Sequence, residues 1–356
     1  MISIYIHIPF CRNICTYCDF CKLYKRDEWV DKYLDKLEKE IKDNYNKEKV
    51  KSLYFGGGTP SCLNNLELER LFNITKVFNL DKNCEITFEC NIEDLEDDKL
   101  RLLSSHVNRL SIGVQSFNDK YISVLGRNKA DLSKIRGAKK FFKNINIDLM
   151  YGFEGQSLDD LKKDIYMFLS LDVPHISAYN LILEEHTKLY IGGYTNIEDS
   201  SYDKLIENVL KNHGYNHYEI SNYALDGYES RHNQTYWNNL EYYGFGLGAS
   251  GYINDIRYEN TRSLNKYLNG EYRYDEHHLS LNEKLQNEFI LGFRKIDGIC
   301  KKDFLSKYGF KVNDIKVVSD LLSDKKLLEN NDNIYINPKY IHFSNEILVK
   351  FMEKLY

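Results

Sequence analysis

Hydrophobic positions in the first half of the chain form short runs that alternate with longer amphipathic segments. The segment 27–44 has apolar residues at intervals of three and four, the spacing of a helix with one apolar face. Those residues are Trp29, Val30, Tyr33, Leu34 and Leu37. The short runs are rich in β-branched and aromatic residues, which favour strands. They are Ser3–Ile8, Ser52–Phe55, Glu85–Cys90, Arg109–Val114, Asn146–Met150 and His175–Leu181.

Successive strand-then-helix units predict an α/β fold with a parallel sheet that is buried on both faces or closed into a barrel. Ligand sites in such folds gather at the carboxyl ends of the strands. Side chains with useful chemistry follow these predicted ends. They are Cys11, Cys15, Cys18, Gly56–Pro60, Glu89, Gln115 and Asp148.

The pattern changes twice along the chain and predicts three units. Residues 1–190 carry the strand-helix alternation and form the core barrel. Residues 191–280 are rich in Tyr, Asn and Gly and are interpreted as an extension packed on the barrel. Residues 281–356 have helical patterns with one short β element near Asn333–Ile336, which predicts a small, mostly helical C-terminal domain.

Composition indicates a globular protein without an obvious nucleic-acid surface. The 356 residues include 48 Lys and Arg against 53 Asp and Glu, a formal net charge of −5, which argues against a phosphate-tracking protein. We expect no membrane-spanning segment, because no apolar run reaches the ~18 residues required. The apolar start lacks a basic segment and reads as a strand, so we expect a cytoplasmic protein with reduced thiols or metal ligands among its eight cysteines.

Three cysteines follow the first predicted strand with the spacing C-x3-C-x2-C. Cys11, Cys15 and Cys18 could ligate three irons of a [4Fe–4S] cluster and leave the fourth iron open to a small molecule. Zinc is the alternative, but it favours a closed set of four ligands in paired knuckles, and no second C-x2-C pair is present. Cys21 is either a fourth thiolate or an ordinary core cysteine, and we favour the second interpretation.

The glycine-rich turn after the second strand could bring backbone groups close to a ligand because no Cβ intervenes. Glu89 and Asp148 could accept hydrogen bonds from hydroxyl or amino groups. Gln115 and Arg127 could bind a ribose and a carboxylate. Each of these residues alone is more often a turn, surface or salt-bridge residue, and their recurrence at strand ends favours a site.

The cysteine spacing followed by GGGTP resembles the radical S-adenosylmethionine (SAM) superfamily. At closer range the chain resembles the oxygen-independent coproporphyrinogen oxidase-like family, and within it the HemW branch. The matching segments are YIHIPFCRNICTYCDF (5–20), YFGGGTPS (54–61), ITFECN (86–91), RLSIGVQSFND (109–119), LGR (125–127), IDLMYG (147–152), YEISNYA (218–224) and RHNQTYW (231–237).

The resemblance implies a partial (β/α)6 TIM-like barrel that holds a [4Fe–4S] cluster and SAM, followed by a small C-terminal domain. By motif match it implies the cluster ligands Cys11, Cys15 and Cys18. The cofactor contacts that it implies are Tyr5, Tyr17, Gly57, Gly58, Thr59, Glu89, Gln115, Arg127 and Asp148.

Two features assign the branch. Coproporphyrinogen dehydrogenases carry a further Cys two residues after the third ligand, where this chain has Phe20. HemW proteins carry H-N-x-x-Y-W, associated with haem binding, and the corresponding residues here are His232, Asn233, Tyr236 and Trp237. An imidazole can ligate haem iron and aromatic rings can face a macrocycle. The alternative is that His232 is a satisfied hydrogen-bonding residue beside core aromatics.

The resemblance therefore implies a haem chaperone that binds haem and transfers it to an acceptor protein, with an electron donor for the cluster. We expect no coproporphyrinogen dehydrogenase activity. The alternative function is an oxygen-independent coproporphyrinogen III dehydrogenase or another radical SAM oxidoreductase.

Overall fold

The computed structural model describes residues 1–353 and 355 of the chain. The strands are β1 Ile2–Ile8, β2 Phe10–Cys11, β3 Leu23–Tyr24, β4 Lys49–Gly57, β5 Asn79–Asn91, β6 Arg109–Gln115, β7 Asn144–Tyr151, β8 His175–Asn180, β9 Asn216–Glu219, β10 Asn222–Ala224, β11 Tyr242–Phe245, β12 Ser250–Ile253, β13 Ile256–Asn260, β14 Arg273–His278, β15 Ile299–Cys300, β16 Leu327–Glu329 and β17 Asn333–Ile336.

The α-helices are α1 Asp27–Asn44, α2 Asn65–Thr75, α3 Asp97–Ser104, α4 Asp119–Val124, α5 Leu132–Ala138, α6 Leu158–Leu169, α7 Lys188–Ile191, α8 Ser200–Asn212, α9 Arg231–Trp237, α10 Leu264–Leu268, α11 Leu281–Gly292, α12 Lys301–Tyr308, α13 Lys316–Ser323 and α14 Ser344–Leu348. Short 3-10 turns span Pro60–Cys62, Ile92–Asp94, Val312–Asp314, Pro338–Phe343 and Val349–Phe351.

Twelve strands form one sheet in the order β14-β13-β12-β11-β1-β4-β5-β6-β7-β8-β10-β9. The central strands from β11 to β8 are all parallel, and the strands beyond each end are antiparallel. Each of the six predicted strands is present in this parallel section. The sheet is therefore the open, partial barrel that the sequence predicts.

Alternation along the strands gives the sheet two different faces. On β1, Ile2, Ile4, Ile6 and Ile8 are buried on one side and join the main hydrophobic core with the helices. Residues between them, such as His7, point to the other side, because successive side chains of a strand alternate. Barrel interiors are usually filled with branched apolar residues, so this polar inner face is the first structural sign of a ligand chamber.

Residues 191–280, predicted as an extension packed on the barrel, contribute strands that continue the sheet at both ends. β10 and β9 pair next to β8, while β11 pairs with β1 and leads to β12, β13 and β14. The edge strands of a parallel sheet present unpaired N–H and C=O groups, and these short strands satisfy them. The sequence pattern does not predict these strands, because the strand-helix alternation of residues 1–190 does not continue in this region.

Helix α9 lies at the end of the barrel opposite the carboxyl ends of the strands. The backbone N–H groups of Arg231 and His232 donate to the Glu85 carboxylate on β5, at 3.2 and 3.0 Å. Ser230 caps the helix by accepting from the Asn233 N–H. A carboxylate at a helix N-terminus is favourable, so the first turn of α9 is held against the barrel.

A second hydrophobic core gathers side chains between Leu285 and Phe351, apart from the main core. It is covered by α11 to α14 and by the small sheet β15-β17-β16. The division of the chain into the units 1–190, 191–280 and 281–356 stays a prediction.

Across the described residues, no helix is both long and apolar enough to cross a membrane.

Candidate functional site

A cavity of about 660 Å³ lies on the polar inner face of the barrel. Consecutive strands line it, which shows that the sheet curves around it. Each strand from β4 to β8 contributes to the lining. Examples, in strand order, are Tyr54, Glu89, Arg109, Asp148 and Tyr179. The volume is within the usual range of small-molecule sites, ~300 to 1,000 Å³.

The three predicted cluster ligands line the outer end of this cavity. Cys11 is buried on β2, and Cys15 and Cys18 are half-buried in the loop that follows. The Thr59 hydroxyl donates to Cys11 Sγ at 3.5 Å, and Arg127 Nη1 donates to Cys15 Sγ at 3.5 Å. Burial raises the pKa of the Cys11 thiol to about 11 and also raises the pKa of Cys18. Metal binding at these thiols therefore releases protons.

The three thiols line one cavity, and this placement fits a cluster. Among residues 1–353 and 355, no group of three or more His, Cys, Asp or Glu side chains is arranged to hold one metal ion. In a [4Fe–4S] cube each thiolate ligates a different iron, so its three ligands face one cavity without converging on a point. Cys11, Cys15 and Cys18 have that arrangement, whereas Cys21 is buried against Gly248.

The glycine turn after β4 is required by close backbone packing. Gly57 has φ +117°, and a Cβ there would lie 2.6 Å from the His7 ring. A Cβ on Gly58 would lie 2.8 Å from the Pro9 carbonyl carbon. Glycine is therefore needed at both positions, and the exposed backbone of the turn lines the cavity beside Thr59.

Glu89 links this turn to the inner face. Its carboxylate accepts from the Tyr54 hydroxyl at 2.8 Å and from the Gly57 N–H at 3.1 Å. Burial raises the pKa of Glu89 to about 7, so the group exchanges a proton near neutral pH. Tyr5 lies behind the cavity wall, where its ring stacks on Tyr54 and its hydroxyl bonds His7 Nδ1 at 3.0 Å. Any role of Tyr5 toward a cofactor therefore passes through Tyr54.

Arg127 and Gln115 lie at the outer end of the cavity near the cysteines. Arg127 Nη2 donates to Asn91 Oδ1 at 2.8 Å and to the Gly113 carbonyl at 2.7 Å. Gln115 has a positive φ of 71°, and its side-chain oxygen accepts from the Tyr179 hydroxyl at 2.8 Å. A non-glycine residue in this backbone region is costly, and such strain concentrates at functional sites.

Tyr17 and Asp148 complete the predicted set of cavity residues. Burial raises the pKa of the Tyr17 phenol, so that it stays a neutral donor. The Asp148 carboxylate accepts from Asn146 Nδ2 at 2.7 Å and from the Ser111 hydroxyl at 3.3 Å. Burial raises the pKa of Asp148 despite these bonds.

The structure brings together eleven of the twelve residues predicted to hold the cluster or cofactor. All of them line one cavity except Tyr5. Their assigned roles stay predictions.

The HNxxYW segment has a different placement, because of its four singled-out residues only Asn233 lines the cavity. His232 is 1% exposed and both ring nitrogens are engaged: Nδ1 bonds Ser52 Oγ at 3.0 Å and Nε2 bonds the Tyr236 hydroxyl at 2.8 Å. Arg294 stacks over Trp237, 4.5 Å from the ring centroid. In this conformation His232 is the satisfied hydrogen-bonding residue of our alternative interpretation.

Sequence reasoning missed several residues of the inner face. The signal is present in the sequence, because five of these six residues lie inside predicted strands and the sixth, Asn91, directly follows the predicted strand Glu85–Cys90. They are Tyr54, Asn91, Arg109, Ser111, Asn146 and Tyr179. Our prediction places chemistry only at the strand ends, whereas the polar alternation continues along the strands.

The chain is similar to known proteins along its length. The family model of the radical SAM superfamily matches residues 5–166. The chain is 38% identical to "Heme chaperone HemW" of Lactococcus lactis, over 98% of this chain and 97% of the relative. It is 36% identical to "Heme chaperone HemW" of Bacillus subtilis, with full coverage of both chains.

A solved structure supports the fold. Coproporphyrinogen III oxidase (HemN) from Escherichia coli, described as a radical SAM enzyme, matches with a TM-score of 0.84 at 22% identity. The match covers 98% of this chain and 89% of that one. The superfamily implies a [4Fe–4S] cluster and SAM, and the cysteines and glycine turn around one cavity fit both. By its identity to relatives over nearly its whole length, this chain belongs to the HemW family within the radical SAM superfamily.

Proposed function

We propose that this protein is a haem chaperone, which binds haem and passes it to an acceptor protein. The observation that carries the proposal is the full-length identity to two relatives named heme chaperones. The proposal includes an electron donor for the cluster and a cytoplasmic setting, where free thiols such as the eight here persist.

The cavity supports the cofactor part of the proposal. Cys11, Cys15 and Cys18 would hold the cluster, and the backbone at Gly57 and Gly58 would receive SAM. When bound, the cluster supplies an electron that can cleave the sulfonium bond of SAM. The protein contributes the enclosed inner face, a carboxyl group at Glu89 that titrates near neutral pH, and the Arg127 guanidinium beside Cys15.

Phe20 favours a chaperone over a dehydrogenase. It stands at the position where the dehydrogenases of the family carry a further cysteine, it is 68% exposed, and it lines the cavity mouth. An exposed aromatic ring at a cavity mouth offers an apolar face suited to a porphyrin.

The proposed haem-binding residues are His232, Asn233, Tyr236 and Trp237. His232 becomes an iron ligand through Nε2 once the Tyr236 hydroxyl releases it, because Nδ1 points toward Ser52. Asn233 already faces the cavity from the same helix.

Anaerobic reconstitution of the cluster followed by haemin titration tests the proposal. We expect a Soret band that is weakened or shifted in His232→Ala. His175→Ala is a matched control, because His175 is equally buried and hydrogen-bonded through both ring nitrogens, to Asn146 and Tyr218. Equal loss in both variants would show a purely structural effect.

A parallel incubation with reduced protein, SAM and coproporphyrinogen III separates the two functions. A chaperone forms no protoporphyrinogen. Decarboxylation coupled to release of 5′-deoxyadenosine would make the protein a dehydrogenase despite Phe20, and absence of haemin binding by the wild type would refute the chaperone.

A further inference from the structure

Arg109 carries a buried positive charge that no described protein group pairs with. It is the first residue of β6, it is 2% exposed, and it lines the cavity. Its Nε is fully enclosed without a hydrogen-bond partner. Within residues 1–353 and 355 the guanidinium also forms no ion pair. Buried charges in proteins are normally paired, because an unpaired charge loses its hydration without replacement.

The polar groups around Arg109 have their hydrogen bonds elsewhere. Asp148, whose pKa this guanidinium helps to lower against the larger effect of burial, is bonded by Asn146 and Ser111. Both ring nitrogens of His175 and of His232 are hydrogen-bonded. Asp148 therefore offsets the charge of Arg109 without hydrogen-bonding it, and no described carboxylate of the inner face occupies the donors of the guanidinium.

Arg109 and Arg127 mark opposite ends of the same cavity. Arg127 lies at the cysteine end and is already bonded to Asn91 and the Gly113 carbonyl. Gln115 ends β6 beside it, and the six-residue separation from Arg109 corresponds to about 20 Å along an extended strand. A ligand that enters past the cysteines therefore presents its far end to Arg109.

We propose that Arg109 binds a carboxylate group of the ligand that reaches the inner end of the cavity. A guanidinium matches a carboxylate with parallel N–H donors, and the pair would replace the hydration that burial removed. Asn233 lines the same cavity and offers an amide donor. The propionates of haem are the source, which rests on the proposed function, because SAM is placed beside the cysteines and the glycine turn at the other end of the cavity.

Binding titrations of the reconstituted full chain test this assignment. The probes are haemin, haemin dimethyl ester and SAM, and the proteins are wild type, Arg109→Met, Arg109→Lys and Arg262→Met. If a propionate binds, wild type prefers haemin over its ester, and Arg109→Met lowers haemin affinity about tenfold or more and abolishes that preference. SAM is the ligand control, because its site lies at the cysteine end of the cavity, and Arg109→Met should leave SAM affinity unchanged.

Arg262→Met is the positional control, because Arg262 also lines the cavity but is exposed and bonds the Asp19 carbonyl. It should keep the wild-type preference. A thermal melt of Arg109→Met, compared with wild type, establishes that the variant is folded before its ligand binding is interpreted.

Unchanged haemin and ester binding in Arg109→Met would overturn the inference. If that variant does not fold, a wild type that binds haemin and its ester alike, together with wild-type haemin affinity in Arg109→Lys, overturns it. A wild type that binds no haemin refutes the proposed function, and the proposed propionate contact with it.

Discussion

The Nε2 atom of His232 and the hydroxyl of Tyr236, one helical turn apart on α9, are hydrogen-bonded at 2.8 Å. The Ser52 hydroxyl donates to Ser3, so it accepts from Nδ1–H of His232. The lone pair of the imidazole is therefore at Nε2, where Tyr236 covers it. This is the atom that would ligate haem iron.

Replacing Tyr236 with Phe should uncover that lone pair. We expect the free energy of unfolding to fall by about 1 to 3 kcal/mol, because a buried acceptor loses its partner. Haemin affinity should be retained or increased, measured by Soret titration beside a denaturant melt. Weaker haemin binding by a folded Tyr236→Phe protein would show that the hydroxyl itself holds the ligand.

Cluster content should depend on Cys11, Cys15 and Cys18 and not on Cys21. Cys18→Ser should lose most iron, sulfide and visible absorption after reconstitution, because one iron loses its thiolate. Cys21→Ser is the matched control from the same loop and should keep them. Equal losses in both variants would argue for Cys21 as a ligand.

The buried imidazole of His232 should make the protein acid-labile. Burial lowers the pKa of His232 to about 3. Below pH 6.5 the imidazole therefore binds a proton in the unfolded chain but not in the folded chain. Stability should therefore fall as the pH drops from 6.5 toward 3, by up to about 1.4 kcal/mol per pH unit from this group. Denaturant melts of His232→Gln should show a correspondingly smaller slope, and an identical slope would contradict the assignment.

Glu89 should have the opposite pH dependence. Burial raises the pKa of Glu89 to about 7, so the folded chain keeps a proton that the unfolded chain loses above pH 4.5. This contribution to stability is lost as the pH rises from 4.5 through 7. We expect Glu89→Gln to be stabilised relative to wild type at pH 8, on the order of 2 kcal/mol, and to be similar at pH 4. Matched melts at the two pH values check this, and a constant difference would refute it.

Gly57→Ala should destabilise the protein by several kcal/mol and reduce SAM binding. The positive φ costs about 1 to 3 kcal/mol, and the added Cβ would meet the His7 ring at 2.6 Å. Gly137→Ala in α5 is the control, because no atom lies within 4 Å of its added Cβ. That variant should be stabilised by about 0.5 to 1 kcal/mol in thermal or denaturant melts. Equal effects of Gly57→Ala and Gly137→Ala on stability would contradict the role of close packing at Gly57.

The sequence by itself determined the parallel core, the helix 27–44 and the cysteine loop. Local patterns are sufficient here, because strand and helix periodicity and the C-x3-C-x2-C spacing are set by neighbouring residues. The loop and the glycine turn predicted the outer end of the cavity, where the carboxyl ends of parallel strands meet.

Only the tertiary structure decided what the inner end contains. His232 is fixed through Nδ1 because α9 packs against Ser52 of β4, and Arg109 has no hydrogen-bonded carboxylate because Asp148, on the next strand, is bonded to Asn146 and Ser111. The alternation of polar and apolar residues predicts which side chains face inward. The hydrogen-bond partners and the burial of those side chains depend on contacts between segments far apart in the chain. Hydrogen-bond partners and pKa shifts arise from those contacts, so no local pattern encodes them.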